Sequence, residues 1–199
     1  HNDSGGDPVL YLISLETGES LATIKLSETL NLDWEDITSF VWNGVPYLAI
    51  ADFGDNLRKR REYQICLLKE PELPPNPESP PHFQVGLEDW IDLRFRYEDR
   101  AHNCEALAYD PLKERFLLLT KELSQKAGLF ALSLPEKDLR EPAIARKLAE
   151  VNIRNVSAMD LSRTGRNLFV RAYDVGLFFT LPEGDDWKCI LSEPISNWH

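Results

Sequence analysis

Two glutamates hold equivalent places in short polar segments of similar grammar: Glu35 in Asp33-Trp34-Glu35-Asp36, and Glu105 in His102-Asn103-Cys104-Glu105. A third such segment, Asn155-Val156-Ser157, carries serine at that position. A second kind of polar segment alternates with these: His1-Asn2-Asp3-Ser4-Gly5, Asp52-Phe53-Gly54-Asp55-Asn56, Thr120-Lys121-Glu122 and Arg171-Ala172-Tyr173-Asp174. Carboxylate and amide oxygens from several loops are the ligands hard cations take, and Ca²⁺ tolerates irregular geometry best. Asp3, Glu35, Asp36, Asp52, Asp55, Asn56 and Glu105 are therefore the candidate metal ligands for Ca²⁺ or another divalent cation. Carboxylates forced together raise one another's pKa unless a cation or a basic side chain neutralises them. Lys121, Arg171, Arg60 and Arg61 are the competing neutralisers, able to form an ion-pair network with no metal at all.

The same residues define a candidate catalytic set: Glu35 and Glu105 as acid and base, with Lys121, Arg171 and Tyr173 beside them. Metal-assisted hydrolysis of an ester or phosphoester would use a carboxylate as base and Arg171 or Lys121 to steady the developing negative charge. Other catalytic templates are absent: the chain has no GxSxG elbow, HExxH, P-loop or GxGxxG. Each motif also has a structural reading. Asp55-Asn56 after Gly54 fits an Asx-type turn, and Asp33 or Asp36 could tie neighbouring units together through backbone N–H groups. His1 and His102 lack a partner His at ligand spacing, and Trp34 and Tyr173 read as packing residues. An Arg at an inner strand end, as Arg171 would be, calls for an anionic partner.

The segments that must position these residues repeat. Residues 104–110, 115–121, 128–134 and 144–151 read as four short strands in up-and-down order, here termed a, b, c and d, separated by turn signals. Downstream the same order recurs at 156–162, 167–173, 176–181 and 187–191; upstream it recurs at 35–42, 47–52, 63–68 and 90–96. Asn43-Gly44 is a strong two-residue hairpin signal, and the proline-rich segment 72–81 reads as an exposed loop. Residues 9–15 and 20–26 supply only a c and a d strand. Helix is nearly absent by pattern, with residues 137–148 able to carry a turn or two.

Four-stranded antiparallel units of roughly 40 to 50 residues are the signature of propeller blades. The expected fold is thus an all-β propeller of four-stranded blades in one partial domain, with about three and a half blades of an incomplete five- or six-bladed ring. The blades divide near residues 1–32 (half), 33–101, 102–153 and 154–199. Strand a lines the channel and strand b returns, so a starts and b ends share one mouth, and the polar segments fill those two slots in every unit.

The net charge of −11 and pI near 4.8 argue against nucleic acid or an anionic membrane surface. No run of about 18 apolar residues is present to span a membrane. The chain opens on His1 rather than Met, which suggests that strands precede it. A ring completed by another copy would make it an oligomer. Cys66, Cys104 and Cys189 have no metal spacing and read as buried free thiols, which leaves the compartment open.

In order and spacing these motifs resemble those of a group of bacterial propeller proteins without an established reaction, related in form to six-bladed TolB-like and strictosidine-synthase-like propellers. The matching pieces are His1-Asn2-Asp3-Ser4-Gly5, Asp33-Trp34-Glu35-Asp36-Ile37, Asp52-x-Gly54-Asp55-Asn56 with a following Arg60 or Arg61, Glu70-Pro71, Asn103-x-Glu105-Ala106, Thr120-Lys121 and Arg171-x-Tyr173. Phe53 departs from them, standing where a small aliphatic residue is usual. The resemblance covers nearly the whole chain and implies a propeller with a polar channel mouth, often exported to the periplasm or secreted. Three functions follow: a propeller binding a divalent cation or small ligand at the mouth, a metal-dependent esterase or phosphoesterase, or a metal-free propeller that binds a protein partner.

Overall fold

In the computed structural model, residues 5–71, 82–85, 90–123, 126–134, 141–181 and 196–198 are described. Fifteen strands and no helix make up their regular structure. The leading sheet joins β1 (Val9–Ile13), β2 (Ser20–Leu26) and β6 (His82–Val85). The first full blade is β3 (Trp34–Trp42), β4 (Val45–Asp52), β5 (Tyr63–Lys69) and β7 (Trp90–Tyr97). The second is β8 (Cys104–Asp110), β9 (Arg115–Thr120), β10 (Ala127–Ser133) and β11 (Ala143–Val151). The third is β12 (Val156–Leu161), β13 (Asn167–Ala172), β14 (Gly176–Thr180) and β15 (Ser196–Trp198).

Within every blade the strands pair antiparallel in chain order, inner to outer, as a propeller requires. The inner strands β3, β8 and β12 pack against one another around the axis. Turn chemistry follows the sequence: Asn43 (φ 51°) and Gly44 (φ 77°) both take the left-handed conformation that a tight hairpin of matching twist needs.

Each space between blades has its own core. In β9, Phe116 and Leu118 face the first blade, joining Phe40, Tyr63, Phe95 and Phe130, whereas Leu117 and Leu119 face the third, joining Val170 and Phe179. Strand β5 splits likewise: Ile65 and Leu67 go to one side, Cys66 and Leu68 to the other with Trp34 and Trp90. A strand sandwiched in this way must be apolar on both faces, which is why β9 reads as a continuous apolar run. Each fully buried Leu or Phe contributes about 1.5–3 kcal/mol.

Two connections depart from the sequence reading. Residues 82–85, unassigned from the sequence, form β6 and pair parallel with β2, Thr23 opposite His82 through Leu26 opposite Val85. The start of β11 pairs parallel with the end of β7, fusing two blades into one eight-stranded sheet. Strand β11 also replaces any helix at Ala143–Leu148, because alternating burial and pairing with β10 hold it extended. The d position of the third blade is taken by Ser196–Trp198; the expected strand at 187–191 and the loop 72–81 lie outside the described residues.

Candidate functional site

The same backbone bond closes the mouth end of all three blades. Gly54 N–H donates to Asp33 C=O at 3.1 Å, Lys121 to Asn103 at 2.8 Å, and Tyr173 to Asn155 at 3.1 Å. Just beyond it the inner strand slips register by one residue, between Trp34 and Asp36, Cys104 and Ala106, and Val156 and Ala158. The residues skipped are Glu35, Glu105 and Ser157, the positions that the sequence places in register. A β-bulge unpairs one residue and re-aims its side chain, and here it does so at the same point in every blade.

Asp52, at the end of β4, is fully buried. It accepts from the Leu32 and Asp33 N–H groups at 2.9 and 3.3 Å and from the Arg60 guanidinium at 2.7 Å. Arg60 also donates to the carbonyls of Gly54 and Asp52, and its guanidinium lies 5.2 Å from the Tyr63 ring centre. Asp55 folds the following loop onto itself, accepting from Lys59 N–H, Arg60 N–H and the Tyr63 hydroxyl at 3.0, 2.8 and 3.1 Å. The Tyr63 oxygen in turn accepts the His102 N–H at 3.1 Å, carrying the network into the second blade.

Asn103 is the joint between the two blades. Its carbonyl oxygen accepts Asp55 N–H at 2.6 Å, and its amide donates to Asn56 Oδ1 at 3.3 Å and Glu105 Oε1 at 3.0 Å. Glu105 pairs with Lys121 at 2.9 Å, and the Lys121 ammonium lies 4.8 Å over the Tyr173 ring of the third blade. Burial works against the Lys121 charge, but hydrogen bonds with Tyr173 and Glu105 outweigh it and hold its pKa above the usual value. Arg58 reaches across to Glu122 at 2.6 Å. His102 is buried, bonded to Asp99 at 2.9 Å and packed on the Tyr97 and Phe130 rings, a structural histidine as its lack of a partner implies.

Asp36 turns inward beside the Glu35 bulge. Its carboxylate accepts from Ile37 N–H at 2.9 Å, Leu107 N–H at 2.8 Å and Met159 N–H at 3.4 Å, so one side chain ties the inner strands of three blades. The equivalent positions after the bulge in the other two inner strands are Ala106 and Ala158. Burial pushes its pKa up to about 6 against the lowering effect of those N–H donors, with Asp160 adding repulsion.

Asp33 and Glu35 crowd Gly54: a Cβ at residue 54 would collide with Asp33 Oδ2 and Glu35 Oε1. The glycine there supplies space rather than an unusual backbone angle. Trp34 between them is buried in the core, as its packing role requires.

The structure thus gathers Glu35, Asp36, Asp52, Asp55, Asn56, Glu105, Lys121 and Tyr173 at one mouth. Two expectations need correcting. Arg171 is exposed, with no anionic partner among the described residues. Tyr173 is 61% exposed rather than packed, its ring held by Lys121 from one side only. Asp3 and His1 lie outside the described residues. Among the described residues no group of three His, Cys, Asp or Glu has the arrangement of a metal site. The joint made by Asn103 and the Arg58–Glu122 bridge escaped the sequence reading, although Asn103 shares its register with Asp33 and Asn155. Cys66 and Cys104 are buried free thiols, and burial raises the pKa of both. A cavity of about 280 Å³ lies at the opposite end of the inner strands, among Phe40, Tyr109, Leu161 and Arg163.

No family model and no curated protein matches the sequence. Among solved structures, the Dos1 propeller is similar at 12% identity and a TM-score of 0.42, over 95% of this chain and 42% of that one. This chain spans less than half the length of that structure. A likeness at this level assigns neither family nor function. The strand order, the repeated bulges and the separate apolar cores between blades define the chain as an all-β propeller.

Proposed function

We propose that this propeller binds a ligand or protein partner without transforming it, and that its acidic mouth motifs join blades instead of supplying a general acid, a general base or a Ca²⁺ cage. The neutralisation of Glu105 by Lys121 and of Asp52 by Arg60 is the observation that carries this reading. Asp55 and Asp36 likewise spend their oxygens on N–H and O–H donors within the fold. A carboxylate so occupied is a poor base, and a divalent cation would have to displace an ammonium or guanidinium to reach it. The exposed Tyr173 ring, with Lys121 and Arg171 beside it, offers a polar aromatic lip for recognition at the mouth.

One observation favours a second reading. Asp33 and Glu35 each bring a carboxylate oxygen to the space over Gly54, and neighbouring carboxylates are ligands that a hard divalent cation takes. A Ca²⁺-like ion held there would revive the metal-binding and metal-dependent hydrolase functions. Thermal melts in Ca²⁺ and in EDTA, with turnover assays on ester and phosphoester panels, separate the two. The binding reading expects coincident melts and no turnover. A Ca²⁺-dependent rise abolished by Asp33→Asn or Glu35→Gln would establish the second instead.

A further inference from the structure

Against a net charge of −11, seven of the chain's basic residues concentrate on one flank of the first blade: Arg58-Lys59-Arg60-Arg61 before β5, Arg94 and Arg96 on β7, and Arg100 just after it. Antiparallel pairing of β5 with β7 sets Tyr63 opposite Phe95, so the chain entering β5 at Arg61 and Glu62 lies beside the end of β7 at Arg96. Alternation along β7 buries Leu93, Phe95 and Tyr97 and turns Arg94 and Arg96 outward. The result is a concavity of about 530 Å³ lined by Arg60, Arg61, Arg96 and Arg100 around one carboxylate, Glu62, with Tyr63 and Tyr97 also lining it.

These cations are unequally engaged. Arg60 is committed to Asp52, and Arg96 to Glu62 at 2.5 Å, while Arg94 shares that same Glu62 at 3.9 Å. Arg61 and Arg100 have no carboxylate partner among the described residues, and Asp99 beside Arg100 is bonded to His102. With Arg60 neutralised by Asp52, the other three guanidinium groups against Glu62 leave the lining with a net charge of +2 (3 − 1), on a molecule whose overall field repels anions. Guanidinium forks match carboxylate and phosphate oxygens, and a dianion answers two spare charges better than a single carboxylate can. The size is that of a small-molecule pocket.

We propose that this arginine-lined pocket binds the phosphate group of a small phosphoester, with Arg61, Arg96 and Arg100 as its ligands and Glu62 as the resident counter-ion that the phosphate displaces from Arg96. This site is separate from the channel mouth, although Arg60 touches both.

Isothermal titration of the whole chain with pyrophosphate, inorganic phosphate, glycerol phosphate and a short phosphoserine peptide, each against acetate at low ionic strength, tests it. Pyrophosphate and glycerol phosphate are expected to bind saturably, at least about tenfold more tightly than acetate. The double variant Arg61→Ala/Arg100→Ala should weaken this by at least about tenfold with an unchanged unfolding midpoint, because both side chains are exposed. Glu62→Gln should tighten binding, and Arg146→Gln, an exposed arginine on the second blade, should leave it unaltered. The proposal is overturned by the absence of saturable binding, by equal binding of acetate, by a loss in Arg146→Gln matching that of the double variant, or by binding confined to the phosphopeptide.

Discussion

The Asp36 carboxylate accepts the backbone N–H of Leu107 at 2.8 Å, across 71 residues and from one blade's inner strand to the next. An inner strand is paired on one side only, so its other edge needs partners at the axis. Asp36 supplies them to two strands at once, since the same oxygen also lies 3.4 Å from Met159 N–H.

That placement has a pH signature. Burial raises the Asp36 pKa from 3.8 to about 6, so between these values the folded state binds more protons than the unfolded one. Stability from this group is therefore fully present below pH 3.8, declines as pH rises towards 6, and stays lower above it. Urea unfolding of the wild type minus that of Asp36→Asn, measured from pH 4 to 8, should show this slope, amounting to about 3 kcal/mol at most. A difference curve that is flat or rises with pH contradicts it.

Gly54 is the point where Asp33 and Glu35 leave no room. Gly54→Ala should cost about 1–3 kcal/mol through overpacking. The same substitution in an Asp33→Ala/Glu35→Ala background should cost much less, because the obstructing atoms are gone. Chemical denaturation of the four variants forms the cycle.

Lys121 neutralises Glu105, whose side chain is only 9% exposed. Lys121→Met keeps the aliphatic stem and removes the charge, and should destabilise by about 3 kcal/mol by stranding a buried carboxylate. Adding Glu105→Gln should restore most of that loss. Additive losses in the double variant would place the two residues in separate roles.

Much of this was legible in the chain. Strand β2 at Ser20–Leu26 and strand β8 at Cys104–Asp110 fall where the alternation and turns set them. The equivalence of Glu35, Glu105 and Ser157 reappears as one bulge repeated three times. Strand β6 was hidden because four residues inside a proline-rich connection carry too little periodicity, and their partner, β2, lies in another sheet. The role of the acidic motifs was hidden for a different reason. Whether Glu105 faces a cation, a substrate or Lys121 depends on distances between loops, and Asp52 looks like a ligand until Arg60 folds back onto it eight residues later. The structural readings of Asp36 as an inter-blade tie and of Asp55 as a turn-former are the ones its hydrogen bonds match.

The central claim is that the mouth carboxylates hold blades together. Its most direct measurement is the unfolding free energy of Asp52→Asn and Glu105→Gln at neutral pH. A joining network expects both variants to lose about 1–3 kcal/mol, since each substitution leaves a half-buried cation without its counter-ion and weakens its donors' bonds. Carboxylates assembled for catalysis or for a metal repel one another, and neutralising one of them relieves strain. Either variant matching or exceeding the wild type in stability would therefore contradict the account.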